Sequence, residues 1–367
     1  MPPNLRRQVV TPGQSQPSPP VIVIPPAQLG LTPTIPLDIP ISSCLLFLFI
    51  LAAVTHMTIF QLNRRRSHKF LFSALLFGFS MARIVSLVMR IVWACRPTNT
   101  NIALAATIFV AAGVLLLYIV NLFFAQRVLR AYHPRFGWGK GVGLAWKGVL
   151  GSVIGVLIMV ITATVVGVLS TDPGVKGRTR EVQLVAGVYL AVLAFLPVVV
   201  VVLAVFWPGR GTMEKFGTGR MRHKICLLVG TSLLLTLGAS FRAGIGFVPR
   251  PATDPAWYHS KAAFYCFNFG IELVVVYGYA IARFDRRFHV PDGSEKPGDY
   301  GKGLGVVNKE EEVFGGGDSG NRQEEVGRVV NSSREQSRSR GGGGVVGDGE
   351  RPESLTVLQD GMEGKKG

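Results

Sequence analysis

Acid is scarce through most of this sequence. Residues 1–284 carry six Asp and Glu side chains against 26 Lys and Arg. Charged residues of both signs make up 17% of the chain, where soluble globular chains average about 25%. That shortage excludes an ordinary cytosolic enzyme, and equally a collagenous or coiled-coil chain. Histidine is scarce too: of six, only His56 lies in an apolar stretch, and no pair has helical metal-ligand spacing. No Ser-His-Asp arrangement stands out, and the last apolar stretch has no lysine for a retinal Schiff base. The expectation is therefore a protein that is not an enzyme, with no catalytic residue, no metal and no cofactor. The four cysteines leave two readings, a Cys44–Cys95 bridge or isolated thiols at apolar sites.

Apolar residue is what the sequence has in excess, at 48%. A net charge of +17 could suit a nucleic-acid binder, but not at this hydrophobicity, so no nucleic-acid partner is expected. Seven stretches are long enough to cross a bilayer, which takes about 20 residues. They run over 39–62, 70–93, 102–126, 148–169, 184–207, 225–247 and 262–282. Backbone groups in lipid must pair within their own segment, so each stretch reads as a helix. The fold class is an all-α integral membrane protein, a seven-transmembrane helix bundle spanning 39–284. Residues 1–38 hold ten of the 22 prolines and read as a disordered extracellular tail. Residues 285–367 carry 16 acids and 13 bases among Gly, Ser and Arg, and read as a disordered cytoplasmic tail.

Orientation follows from loop charge, since Lys and Arg accumulate on the cytoplasmic side. The first, third and fifth loops carry 14 of them, including Arg64, Arg65, Arg130 and Lys224; the others carry six. The N-terminus is thus outside and the C-terminus inside. The one N-x-S/T sequon, at Asn331, falls on the cytosolic side. Gly148, Gly151, Ser152 and Gly155 in the fourth span form a small-residue stripe, read as a packing face with helix dimerisation as the alternative. Trp93, Trp138, Trp207 and Trp257 fall at span ends, where interfacial anchors belong. Spans of this length lean towards the plasma membrane.

Ionisable residues inside a span are costly and point to function first. Arg83 in the second span and Glu272 in the seventh each lie ten residues from the outer end, about 15 Å deep, so the two are expected to pair. Arg242 in the sixth span and Asn268 in the seventh sit nearer the outer face, with Tyr265 close by. Together they predict a polar seam between the second, sixth and seventh spans. It reads either as a buried pair that fixes packing or as a ligand site or proton-linked switch. Arg90, nearer the outer end of the second span, is expected to snorkel to the headgroups.

Three marks of rhodopsin-like receptors are missing: the acidic-Arg-aromatic end of the third span, N-P-x-x-Y in the seventh, and a cysteine in the fourth loop. The segments NLFFAQRVLRAYHPRFGW (121–138) and KAAFYCFNFGIELVVVYGYAIARFDRRFHVPDG (261–293) instead resemble a fungal seven-helix family whose members are labelled family C-like G-protein-coupled receptor proteins. The resemblance implies seven spans and a receptor-like or sensor role. Basic inner loops would then serve an acidic cytosolic signalling partner, and membrane lipids would surround the bundle. The alternative is a lipid or small-molecule exporter of the fungal seven-helix type, which the charged seam would also suit.

Overall fold

A computed structural model describes residues 27–66, 70–207 and 213–303. Long helices follow one another with short turns: α1 (Ile35–Arg65), α2 (Leu71–Cys95), α3 (Thr100–Tyr132), a one-turn α4 (Pro134–Gly137), α5 (Lys140–Leu169), α6 (Pro173–Phe206) and α7 (Met221–Phe247). The seventh span is composite. It is built from α8 (Lys261–Tyr265), a π-helical turn (Cys266–Gly270) and α9 (Ile271–Ile281), and the short α10 (Phe284–Arg287) follows it. Seven helical segments are long and apolar enough to cross a membrane, and no strand occurs among the described residues. The chain is an all-α, seven-span membrane bundle.

Local chemistry sets the helix starts. The Asn99 side chain accepts from the backbone N–H groups of Asn101 and Ile102 and opens α3. Asp172 caps α6 ahead of Pro173, whose fixed φ suits the first helical turn, and Ser260 caps α8 through Ala263 N. α6 continues through Pro197 to Phe206. Packing centres on α3, which touches α2, α5, α6 and α7, while α9 is flanked by α1 and α7. The core is strongly aromatic, with Phe49, Phe79, Phe124, Phe269 and Phe284 fully buried.

Several expectations change here. α1 begins at Ile35, and residues 27–34 are tied down, with Gly30 N donating to His259 O. Order also runs past Asp285: Phe288 and Tyr300 are buried against the inner end of the bundle. Both tail boundaries therefore move, because the flanking residues find aromatic and charged partners on the bundle itself. Residues 1–26 and 304–367, including Asn331, lie outside the described residues. The four cysteines are free. The small-residue stripe of α5 does not pack within the chain: a Cβ on Gly148, Gly151 or Gly155 would meet nothing within 4 Å. Trp138 is no surface anchor either; Arg130 stacks on its ring at 4.1 Å and Tyr300 meets it edge-on.

Candidate functional site

The buried polar groups of the bundle fall into four levels, from the outer face inward. At the outer face stands Asp38, fully buried in the first turn of α1. Arg90 donates to its Oδ1 from Nε (3.2 Å) and Nη2 (2.9 Å), and Lys261 Nζ reaches Oδ2 at 2.5 Å. The Tyr265 hydroxyl also donates to Oδ1 at 2.8 Å and shares a hydrogen bond with Ser42. Arg90 Nη2 further donates to the Gly30 carbonyl at 2.7 Å, and its guanidinium lies 4.4 Å from the Phe264 ring. Gly30 holds a φ of +81°, and a Cβ there would stand 2.6 Å from Phe264 Cγ, so only glycine fits. One carboxylate thus ties the start of α1 to α2 and to the seventh span. Arg90 does not snorkel; it is 4% exposed and ion-paired.

The second level holds Arg242. Its Nη2 donates to the Tyr118 hydroxyl at 2.9 Å and its Nη1 to Asn268 Oδ1 at 3.2 Å. Asn268 belongs to the π turn, and its Nδ2 donates to the Phe264 carbonyl at 3.1 Å.

At mid-membrane, Arg83 and Glu272 form the expected pair. Two parallel bonds of 2.5 Å join Arg83 Nε and Nη2 to the two carboxylate oxygens, with both side chains at most 1% exposed. The remaining nitrogen, Nη1, donates to Val110 O on α3 at 2.8 Å. Gly113 leaves room for it, since a Cβ would come within 3.2 Å of Nη1. The rings of Phe79 and Phe269 flank the guanidinium at 5.4 and 5.5 Å. A fork-on-fork pair with its last donor satisfied is the geometry in which a buried ion pair offsets its desolvation best.

The fourth level runs towards the inner face. Tyr279 donates to Asn121 Oδ1 and shares a bond of 2.9 Å with Thr231, while Asn121 Nδ2 donates to Ser232. Below it, buried or half-buried cations are held by backbone carbonyls: Arg127 donates to Phe288 O and Lys224 to Phe216 O. Phe124 and Phe288 stack at 4.1 Å with planes 8° apart. Gly217, at φ +54°, sits so close to Arg287 O that a Cβ would approach to 2.2 Å, which lets the fifth loop lie on α10. Burial pushes the Tyr300 hydroxyl above its ordinary range, with Arg130 and Arg127 opposing.

The structure therefore joins Arg83 to Glu272 and Arg242 to Asn268, but it places Tyr265 elsewhere, on Asp38. Asn268, in the π turn, meets Arg242, and Glu272, just after it, meets Arg83. Asp38, Lys261, Tyr118 and Asn121 were missed. Asp38 had a signal: it is one of only six acids before residue 285, set at the mouth of the first span. Tyr118 and Asn121 had none beyond a single-turn spacing within an apolar run. Among the described residues, no three His, Cys, Asp or Glu side chains could hold one metal ion.

Residues 209–289, which carry Arg242, Asn268 and Glu272, match a family described as a protein of unknown function (DUF3112). No curated protein and no solved structure matches the chain. The chain is thus an integral, multi-pass membrane protein whose last two spans are similar to that family.

Proposed function

We propose that this protein is a receptor-like membrane protein, a sensor that binds its ligand at the outer end of the polar seam and signals to a cytosolic partner at its basic inner loops. The observation that carries this reading is the run of polar side chains on α3. Tyr118 receives Arg242 from the outer half, and Asn121, one turn further in, receives Tyr279 and reaches Ser232. One helix thereby contacts the seam above and the inner half of the sixth and seventh spans below, so a shift at Arg242 has a physical route to the inner face. The likeness of residues 121–138 and 261–293 to fungal receptor-labelled proteins agrees with it, and the plasma membrane is the residence such a role calls for. Anionic lipids would gather at the same inner basic loops.

The experiment is proximity labelling from the inner loops in cells, comparing the wild type with Tyr118→Phe and Asn121→Ala. Recovery of a cytosolic signalling subunit that either substitution changes supports a sensor. Substrate flux into vesicles of the purified protein, abolished by Glu272→Gln, overturns it in favour of an exporter.

A further inference from the structure

Charge bookkeeping in the outer half of the bundle leaves a remainder. Arg83, Arg242 and Glu272 sum to +1, and both oxygens of Glu272 are engaged by Arg83. Arg242 meets only neutral oxygens, those of Asn268 and Tyr118, and among the described residues no carboxylate lies within ion-pair distance of it. It sits five residues before the end of α7, about 7 Å below the outer end. A cation at that depth is costly unless an anion joins it. Arg83 is sealed, but Arg242 is only half-buried, so an anion can still reach it.

The surroundings are built to hold that guanidinium in place. The π turn, a feature concentrated at functional sites, brings Asn268 to it, and the Asn268 amide is itself anchored on Phe264 O. Gly238, one turn before Arg242, lets α7 approach this turn; a Cβ would come within 3.0 Å of Phe267 O. Two of the five guanidinium N–H donors are engaged, which leaves three in the planar fork that suits carboxylate or phosphate. The buried Tyr118 hydroxyl accepts from Arg242 and fixes the guanidinium from the α3 side. Phe241 and Phe267, the chain neighbours of Arg242 and Asn268, stack on each other at 3.8 Å and add an apolar pair where α7 meets the π turn.

We propose that Arg242, held in place by the buried Tyr118 and Asn268, binds the head of an anionic amphiphile, a carboxylate or phosphate on an apolar body, entering from the outer side. This rests on the sensor reading and names its ligand class. Its test reads binding alone, so it stands or fails apart from any signalling readout.

The full chain is reconstituted in phosphatidylcholine nanodiscs, and its thermal midpoint is followed by tryptophan emission. Decanoate is titrated against the neutral decanol; in parallel, nanodiscs doped with phosphatidic acid are compared with phosphatidylcholine alone. A rise with decanoate and not with decanol points to a free acid, and a rise with phosphatidic acid alone points to a lipid headgroup. Arg242→Gln is expected to weaken the effective anion by at least about tenfold, the ratio that 1.4 kcal/mol gives. If Arg242→Gln does not fold, Tyr118→Phe keeps the ring, removes one of the two groups that fix the guanidinium and should weaken the same anion several-fold. The proposal is overturned if neither anion stabilises the wild type beyond its neutral control. It is equally overturned if the variant that folds keeps the full effect.

Discussion

The outer and inner halves of this bundle house buried cations in opposite ways. In the outer half and at mid-membrane, Arg90 and Arg83 each meet a buried carboxylate, Asp38 and Glu272. In the inner half, Arg127 and Lys224 meet the backbone carbonyls of Phe288 and Phe216, with aromatic rings for walls. A carboxylate cancels the charge it holds; a carbonyl dipole satisfies the donors and leaves the charge intact. With six acids before residue 285, the chain places two of them where cations would otherwise stand alone in lipid. It keeps positive the loops from whose charge the orientation is read. The same two choices predict different sensitivities to mutation.

The largest effect is expected at mid-membrane. Glu272→Ala leaves Arg83 fully buried with no counter-charge, and breaking a buried pair in this way costs about 3–5 kcal/mol. The double variant Arg83→Ala/Glu272→Ala removes both charges and should be less destabilised than Glu272→Ala alone. Unfolding midpoints of the purified proteins in one detergent decide this. Losses that simply add would sink the idea that the two side chains form one energetic unit.

Next comes a direct contest between the halves. Asp38→Asn is close in shape but strips the negative charge from Arg90 and Lys261, for an expected loss of about 3 kcal/mol. Lys224→Met removes a buried cation together with its hydrogen bond, and the two effects nearly offset, for a loss of about 1 kcal/mol or less. Equal losses in the same unfolding assay would erase the distinction between carboxylate-held and carbonyl-held cations.

Much of this was legible in the sequence, and the reason is physical. Hydropathy exposed seven spans because lipid permits few alternatives to an apolar helix. Arg83 and Glu272 were legible as a pair because depth along a helix is fixed by its rise, so two charges at equal depth have few other places to go. Arg90 was misread because its nearness to the outer end suggested water, while its partner, Asp38, lay in a proline-rich stretch that composition assigned to a tail. Composition sees the average of residues 1–38; it does not see that helix α1 starts inside them, at Ile35. The π turn left no periodic trace, so the composite build of the seventh span was out of reach. For the inner closure the difficulty was of another kind: carbonyl acceptors exist at every residue, so nothing in the sequence marks the carbonyls of Phe216 and Phe288 as special.

The smallest effect tests the outer half from outside the spans, at His259. This residue is buried in the turn Trp257–His259, and its carbonyl receives Gly30 N, so it backs the segment that Arg90 holds. Its Nδ1 has no hydrogen-bond partner. Burial, reinforced by the charge of Arg250, lowers its pKa below the ordinary 6.5. The folded chain therefore prefers neutral imidazole, while the unfolded chain takes up a proton at about pH 6.5. Stability from this group is complete above that pH and declines as the pH falls through it towards the folded pKa, because the unfolded state then binds more protons. The midpoint of the wild type should drop between about pH 7.5 and about pH 5 more than that of His259→Gln, which cannot titrate. Matching drops would mean that the acid sensitivity of the outer half arises elsewhere.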